Sequence, residues 1–190
     1  MSFARRAEWV WVRPPHRKVD PFAPPAQGAN PDTNRYVYFR RTFILTLPPS
    51  EAPVWVSADG RYRLYVNGMP AGRGPARCHP ERQCVDHYDI GPLLRTGPNS
   101  VCALVHAYGR HTSWYQLAGG LQQLFFGSGG FFLQGEPANE PAVRLDTGPE
   151  WRFLVSRAWA RQAAFGGTGF AEDYDAFHAP AGWTDIAFDD

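Results

Sequence analysis

Lysine occurs once and cysteine three times in this 190-residue chain. Cys78, Cys84 and Cys102 are too few, and odd in number, which argues against a disulfide scaffold. Basic excess is also missing. The net charge is +1, with 18 Arg and the single Lys scattered among 18 acids. A nucleic-acid partner normally needs a basic stripe that neutralises phosphates, so none is expected. No apolar run reaches the roughly 18 residues that span a bilayer, so no membrane partner is expected either. The N-terminal "MSFARRAEWVWVRPPHRK" holds no apolar core long enough for a signal peptide, and a cytoplasmic location is the expectation. There is no G-x-S-x-G elbow, no H-E-x-x-H and no Walker loop. "GSGG" at 127–130 precedes no helix whose N-terminus would receive an anion, and reads as a turn. No cofactor is expected.

Aromatic residues are abundant: 7 Trp, 8 Tyr and 13 Phe. They suit strands, interfaces and sugar-stacking surfaces alike. "EWVWV" alternates, which predicts a short strand with Trp9 and Trp11 on one face. Residues 13–34 are Pro-rich and read as an extended connection. In "RYVYFRRTFIL" Val37, Phe39, Phe43 and Leu45 share a face with Arg41, the period of a strand. "VWVSA" is another strand. In "RYRLYVNG" Tyr62, Leu64 and Val66 point one way, and Arg61, Arg63 and Tyr65 the other. The following Asn67-Gly68 tolerates positive φ at both positions, the signal for a tight hairpin. "VDHYDI" reads as a strand, "DIGPLL" as a helical turn with Pro92 in its first turn, and "VCALVHAY" as a central strand apolar on both faces. Two aromatic strands around the Gly-rich turn, then "AVRLDT" and "WRFLV", complete the set. "SRAWARQAA" is the longest helical candidate. Short strands divided by turns, with no βαβ rhythm, predict an all-β fold, a jelly-roll β-sandwich formed by residues 1–190 as one domain.

Candidate chemistry is sparse. Asp59, Glu81, Asp86, Asp89, Glu172, Asp173 and Asp175 are carboxyls, yet nothing in the sequence pairs two of them as glycoside hydrolysis requires. They read as turn, cap and solvated residues. "CHPERQCVDH" puts Cys78, His79, Cys84 and His87 close together, but the C-x5-C spacing is poor for zinc and no second pair exists. Free cysteine is the better reading, and no metal site is expected. "HAYGRHTSWY" follows the central strand and should emerge at one end of the sandwich, where binding groups collect. There Trp114 and Tyr115 would stack on a sugar face, with His106, Arg110 and His111 bonding its hydroxyls. The same rings would equally serve a core edge or a domain interface. "GRGPAR" adds Arg73 and Arg77, placed to pair with Asp86 or Asp89 or to face a partner domain.

The run "RYRLYVNG", "GRGPAR", "DHYDIGPLLRTGPNSVCALVHAYG" resembles the galactose-binding-like jelly-roll domains of large glycoside hydrolases, above all the N-terminal β-sandwich of bacterial α-L-rhamnosidases. "EWVWV" and "NRYVYFRRTF" upstream and "EDYDAFHAPAGWTDIAFDD" downstream extend the likeness over nearly the whole chain. The resemblance implies a galactose-binding-domain-like fold and a non-catalytic accessory role. The expected partner is the catalytic barrel of a parent glycoside hydrolase, which lies outside such a sandwich, so no catalytic residue carries over. A rhamnose-containing glycan is the second expected partner, and a stand-alone carbohydrate-binding module is the alternative role. The calcium-dependent rhamnose pattern of related sandwiches is not matched, so neither calcium nor rhamnose binding transfers. Relatives continue into a further strand after "FDD", which leads to the expectation of a sandwich lacking its last strand and prone to associate.

Overall fold

A computed structural model describes residues 5–12, 32–76, 83–109, 129–161, 164–165 and 169–189. The elements in chain order are β1 (Arg35–Leu45), β2 (Pro53–Ala58), β3 (Arg61–Val66), β4 (Met69–Gly74), β5 (Asp86–Asp89), β6 (Gly97–Ala107), β7 (Phe131–Gly135), β8 (Arg152–Val155), β9 (Ala164–Phe165) and β10 (Gly169–Phe170). One antiparallel sheet has the order β4-β3-β6-β1-β8, a second has β5-β2-β7, and β9 pairs with β10. Two short 3-10 turns, Gly91–Leu93 and Ala176–His178, are the helical elements among the described residues. This is the β-sandwich that the strand pattern predicts.

Period two decides what is buried. On β1, β3 and β6 the inward set includes Val37, Phe39, Leu64, Val66, Val101, Ala103 and Val105, all essentially inaccessible. Val54, Val56, Phe131 and Leu133 face them from the smaller sheet. Phe39 stacks on Phe131 at 5.2 Å and Trp151 meets Phe131 edge-on at 5.4 Å, so aromatic packing closes the space between sheets. Phe43 and Arg41 continue the inward face of β1 toward its C-terminal end, where Arg41 pairs with Glu150 at 2.6 Å.

The β3–β4 hairpin turns on Asn67 (φ 50°) and Gly68 (φ 82°), the conformation that the Asn-Gly pair predicts. Asn67 does more than turn. Its amide donates to the Leu93 carbonyl (2.8 Å), and its carbonyl oxygen accepts the Ser100 N–H (2.9 Å). One residue thus fixes the hairpin to the start of β6.

"GRGPAR" is explained by close approach rather than by a loop. Arg73 lies in β4, paired with Arg63. A side chain at Gly72 would meet the Tyr88 ring, and one at Gly74 would meet the Asp86 carboxylate. The glycines let β5 of one sheet come up against β4 of the other. The expected ion pairs of Arg73 give way to other contacts. Asp86 accepts the Tyr62 hydroxyl at 2.5 Å, and Asp89 accepts the N–H groups of Ala52 (2.7 Å) and Gly91 (2.9 Å). Asp89 thereby holds the turn that Pro92 opens.

Three predicted elements differ. "EWVWV" contributes one bridge, Val10 to Phe131, rather than a strand. Trp9 lies on Phe132 (5.6 Å) and Trp11 on Phe39 (6.0 Å), and Phe132 and Phe39 sit on opposite sides of β7, so the indoles diverge. "AVRLDT" forms no ladder strand, although Leu145 and Thr147 donate to the carbonyls of Gly135 and Leu133, both at 2.8 Å. "SRAWARQAA" is not helical over its described residues. Trp159 bridges Tyr174 instead, because its ring is taken up by tertiary contacts that a helix would not supply.

The described residues from Ser156 onward form a strap across the outer face of the larger sheet. Three successive carbonyls anchor it: Trp183 accepts from Cys102 Sγ (3.7 Å), Thr184 from Ser100 Oγ (3.0 Å) and Asp185 from Arg40 Nη2 (2.8 Å). Trp183 adds edge contacts to Tyr38 (4.8 Å) and Tyr65 (5.5 Å). Trp183→Ala is expected to cost about 2 kcal/mol, less than a fully buried Trp because the ring is half-exposed. Tryptic cleavage after Arg157 and Arg161 should accelerate. An unchanged rate would mean that the carbonyl anchors alone hold the strap.

Candidate functional site

The outward face of β1, β3 and β6 carries the polar and aromatic half of the alternation. Register places Tyr36 beside His106 and His106 beside Arg61, and then Tyr38 beside Leu104 and Leu104 beside Arg63. A ladder of rings grows from this register. His106 stacks on Tyr36 (3.9 Å, 8°), Tyr36 on Trp159 (4.3 Å, 11°), and Trp159 meets Tyr174 (4.5 Å). The strap supplies the last two rings.

His106 is thereby enclosed. Its Nε2 lies 2.9 Å from Asn34 Oδ1, and Tyr108 covers it at 4.6 Å. Burial first, and the nearby Arg61 charge second, lower its pKa to about 3. It is a neutral imidazole donating to Asn34, a cornerstone of the sandwich end. Tyr36 is pushed up to about 12, chiefly by burial and then by the Glu172 charge, with Arg63 acting in the opposite sense. Both charges therefore act on the Tyr36 hydroxyl.

Beside the ladder a groove of about 550 Å³ opens between the sheet and the strap. Tyr65 and Arg63 line its sheet side, and Trp183, Tyr174 and Glu172 its strap side. Glu172 Oε1 accepts the Trp159 indole N–H at 3.1 Å. Among the described residues the Arg63 guanidinium has neither a hydrogen bond nor an ion pair. A second groove, of about 590 Å³, differs in this respect. Its basic side chains are paired, Arg6 with Glu136 and Asp146, Arg41 with Glu150, and Arg144 with Asp146.

Of the residues put forward from sequence, His106 and Arg73 are described. They do not come together: His106 is in the ring ladder, and Arg73 is exposed on the edge strand β4, its carbonyl accepting the Tyr88 hydroxyl at 3.0 Å. Arg77, Arg110, His111, Trp114 and Tyr115 lie outside the described residues, as do Cys78, His79 and most of the Pro-rich connection. Cys102 is buried and Cys84 half-buried, and neither is in a disulfide. Among the described residues no three His, Cys, Asp or Glu side chains gather as a metal site would require. His87 instead packs on Trp55 at 4.9 Å.

The groove itself was half-visible. Alternation in β3 sends Arg63 and Tyr65 outward, but nothing periodic marks Trp159, Glu172, Tyr174 or Trp183 as their neighbours.

Comparison with known proteins adds a family signal. Residues 48–190 match a family model described as the alpha-L-rhamnosidase N-terminal domain. An α-L-rhamnosidase of Streptomyces avermitilis is 28% identical over 153 residues, covering 74% of this chain and 14% of that protein. The GH78 family rhamnosidase of Bacillus sp. GL1 is 27% identical with a TM-score of 0.72, covering 99% of this chain and 18% of that one. The Streptomyces avermitilis α-L-rhamnosidase in complex with L-rhamnose gives a TM-score of 0.60 at 26% identity, covering 83% of this chain and 15% of that one. This chain spans less than a fifth of the length of each of these relatives.

Proposed function

Since the chain belongs to the α-L-rhamnosidase N-terminal domain family, we propose that it is a non-catalytic sandwich of an α-L-rhamnosidase-like glycoside hydrolase, docking on that protein's catalytic domain. The observation that carries this reading is the family match over residues 48–190, against relatives several times longer than the matched region.

The carboxyls support it. Asp59 accepts the Gly129 N–H, Asp86 the Tyr62 hydroxyl, Asp89 two backbone N–H groups and Asp175 the Phe177 N–H. Each is accounted for by turns, caps or sheet contacts. Exposed apolar groups point the same way. Phe177 is 98% exposed on the strap, and Phe153 and Leu154 on the edge strand β8 are each 52% exposed. Such groups are the usual anchors of a docking face.

Two measurements test the reading. The purified chain is expected to release no product from an aryl α-L-rhamnoside; turnover by the chain alone would overturn the non-catalytic role. Mixed with the catalytic domain of its parent hydrolase, it is expected to sediment as a complex that Phe177→Asp weakens at least tenfold. Absence of a complex, or one indifferent to that change, would remove the docking role.

A further inference from the structure

We propose that the groove between the larger sheet and the strap binds an uncharged pyranoside, held by Arg63, Glu172 and the rings of Tyr65 and Trp183. The proposal rests on the reading of this chain as the accessory domain of a carbohydrate-active protein. It adds a site, on the sheet face, distant in sequence from the loop that the aromatic-polar motif at 106–115 suggests.

Size is the first argument. About 550 Å³ falls within the range of small-molecule clefts, roughly 300–1,000 Å³. The lining is the second: five aromatic rings and five aliphatic residues with two charged side chains, Arg63 and Glu172, an apolar wall with few polar groups, which is the usual composition of such sites. The third is charge. Arg63 and Glu172 are opposite in sign and line the same groove. They offset one another, so a ligand of either charge gains little from the groove as a whole.

Hydrogen-bonding capacity then narrows the class. Arg63 offers a fork of donors with no partner among the described residues, and Glu172 uses one oxygen on Trp159 and keeps the other. The Tyr65 hydroxyl and the Trp183 indole N–H likewise make no hydrogen bond among the described residues. A purely apolar ligand would strip water from these groups and return nothing, which is costly. A ring of vicinal hydroxyls satisfies both kinds. Each hydroxyl donates to the carboxylate and accepts from the guanidinium, while the C–H face of the pyranose lies on an aromatic ring. The strap is held by three backbone carbonyls, so the groove is preformed and little ordering is required on binding.

The test uses the 190-residue chain in a buffer with EDTA. Methyl α-L-rhamnopyranoside, methyl α-D-glucopyranoside and methyl β-D-galactopyranoside are titrated at millimolar concentrations. Saturation-transfer NMR and tryptophan fluorescence are recorded. At least one glycoside is expected to receive saturation on its ring C–H protons and to shift the fluorescence of Trp183. Arg63→Met and Glu172→Gln are each expected to weaken that binding about tenfold, the loss of one charge-assisted hydrogen bond. Both positions are exposed, so the fold should survive, as the amide NMR spectrum would show. No transfer to any of the three overturns the proposal. So does binding that both variants leave unchanged. Because no catalytic domain is present, failure to dock and failure to bind sugar are read separately.

Discussion

Replacing Gly60 with alanine is expected to remove about 3–5 kcal/mol of stability, a large share of the roughly 5–15 kcal/mol of an ordinary domain, and to lower the Tm by roughly 6–20 °C. Gly60 lies in the two-residue link from β2 to β3, where the chain leaves the smaller sheet and enters the larger. The link is rigidly held. Asp59 is buried, its N–H donates to the Gly130 carbonyl at 2.9 Å, and its carboxylate accepts the Gly129 N–H at 3.1 Å. To pass from one sheet to the other, Gly60 adopts φ 120°, a conformation that side-chain-bearing residues rarely take. A methyl there would also overlap the backbone carbonyl oxygen of His106. That oxygen belongs to the neighbouring strand, in the register that pairs Arg61 with His106, so it has nowhere to retreat without opening β3 from β6. Backbone strain and steric overlap therefore act together. Gly148 is the control: an added methyl meets nothing within 4 Å, and Gly148→Ala should change stability by less than about 0.5 kcal/mol. Equal melting curves for the two variants would show that the crossing is not where the fold is pinned.

The same crossing shows what the sequence discloses and what it hides. "ADG" reads as a turn from its residue types alone, and the alternation in "RYRLYV" assigns each side chain of β3 to its face. Those are local signals, produced by turn geometry and the pleat, and they survive folding intact. That the turn joins two different sheets is not local, and no pattern encodes it. Gly72 and Gly74 make the point again: their need for space comes from Tyr88 and Asp86, on a strand that comes later in the chain. The strap is the extreme case. Trp159 and Trp183 answer separate rings on the sheet below, Tyr36 and Tyr38, and Tyr174 answers Trp159, so the three are spaced without period. The loop after β6, where end-loops usually carry binding chemistry, lies beyond residue 109, outside the described residues. The groove draws Arg63 from mid-strand and Glu172 from the strap.

His106 supplies the second large effect, a steep and assignable loss of stability in mild acid. Its pKa is about 3 in the folded chain and about 6.5 when unfolded. Below pH 6.5 the unfolded chain takes up a proton that the folded chain refuses, so unfolding is favoured more as pH falls toward 3. The stabilising contribution is complete above about pH 6.5 and shrinks by about 1.4 kcal/mol for each further unit of pH in that window. Between pH 7 and 5 the loss amounts to about 2 kcal/mol. The physical cause is the enclosure of the ring by Tyr36 and Tyr108, with Arg61 close enough to oppose a second positive charge. Asn34 sharpens the effect. Its Oδ1 accepts from Nε2 in the neutral form already, and Asn34 is itself buried with φ 49° and its N–H on the Tyr108 carbonyl, so it cannot turn to offer more. His106→Gln keeps a donor for Asn34 and removes the titration. It should be less stable than the parent at pH 8, having lost the stack on Tyr36, yet flatter with pH. In urea unfolding the gap between the two proteins is expected to narrow by about 2 kcal/mol from pH 7 to 5, because every other titrating group is common to both. Parallel pH profiles would mean that His106 takes its proton while folded. The ring ladder at that end of the sheet would then have to tolerate a cation, and the neutral cornerstone assigned to it here would be wrong.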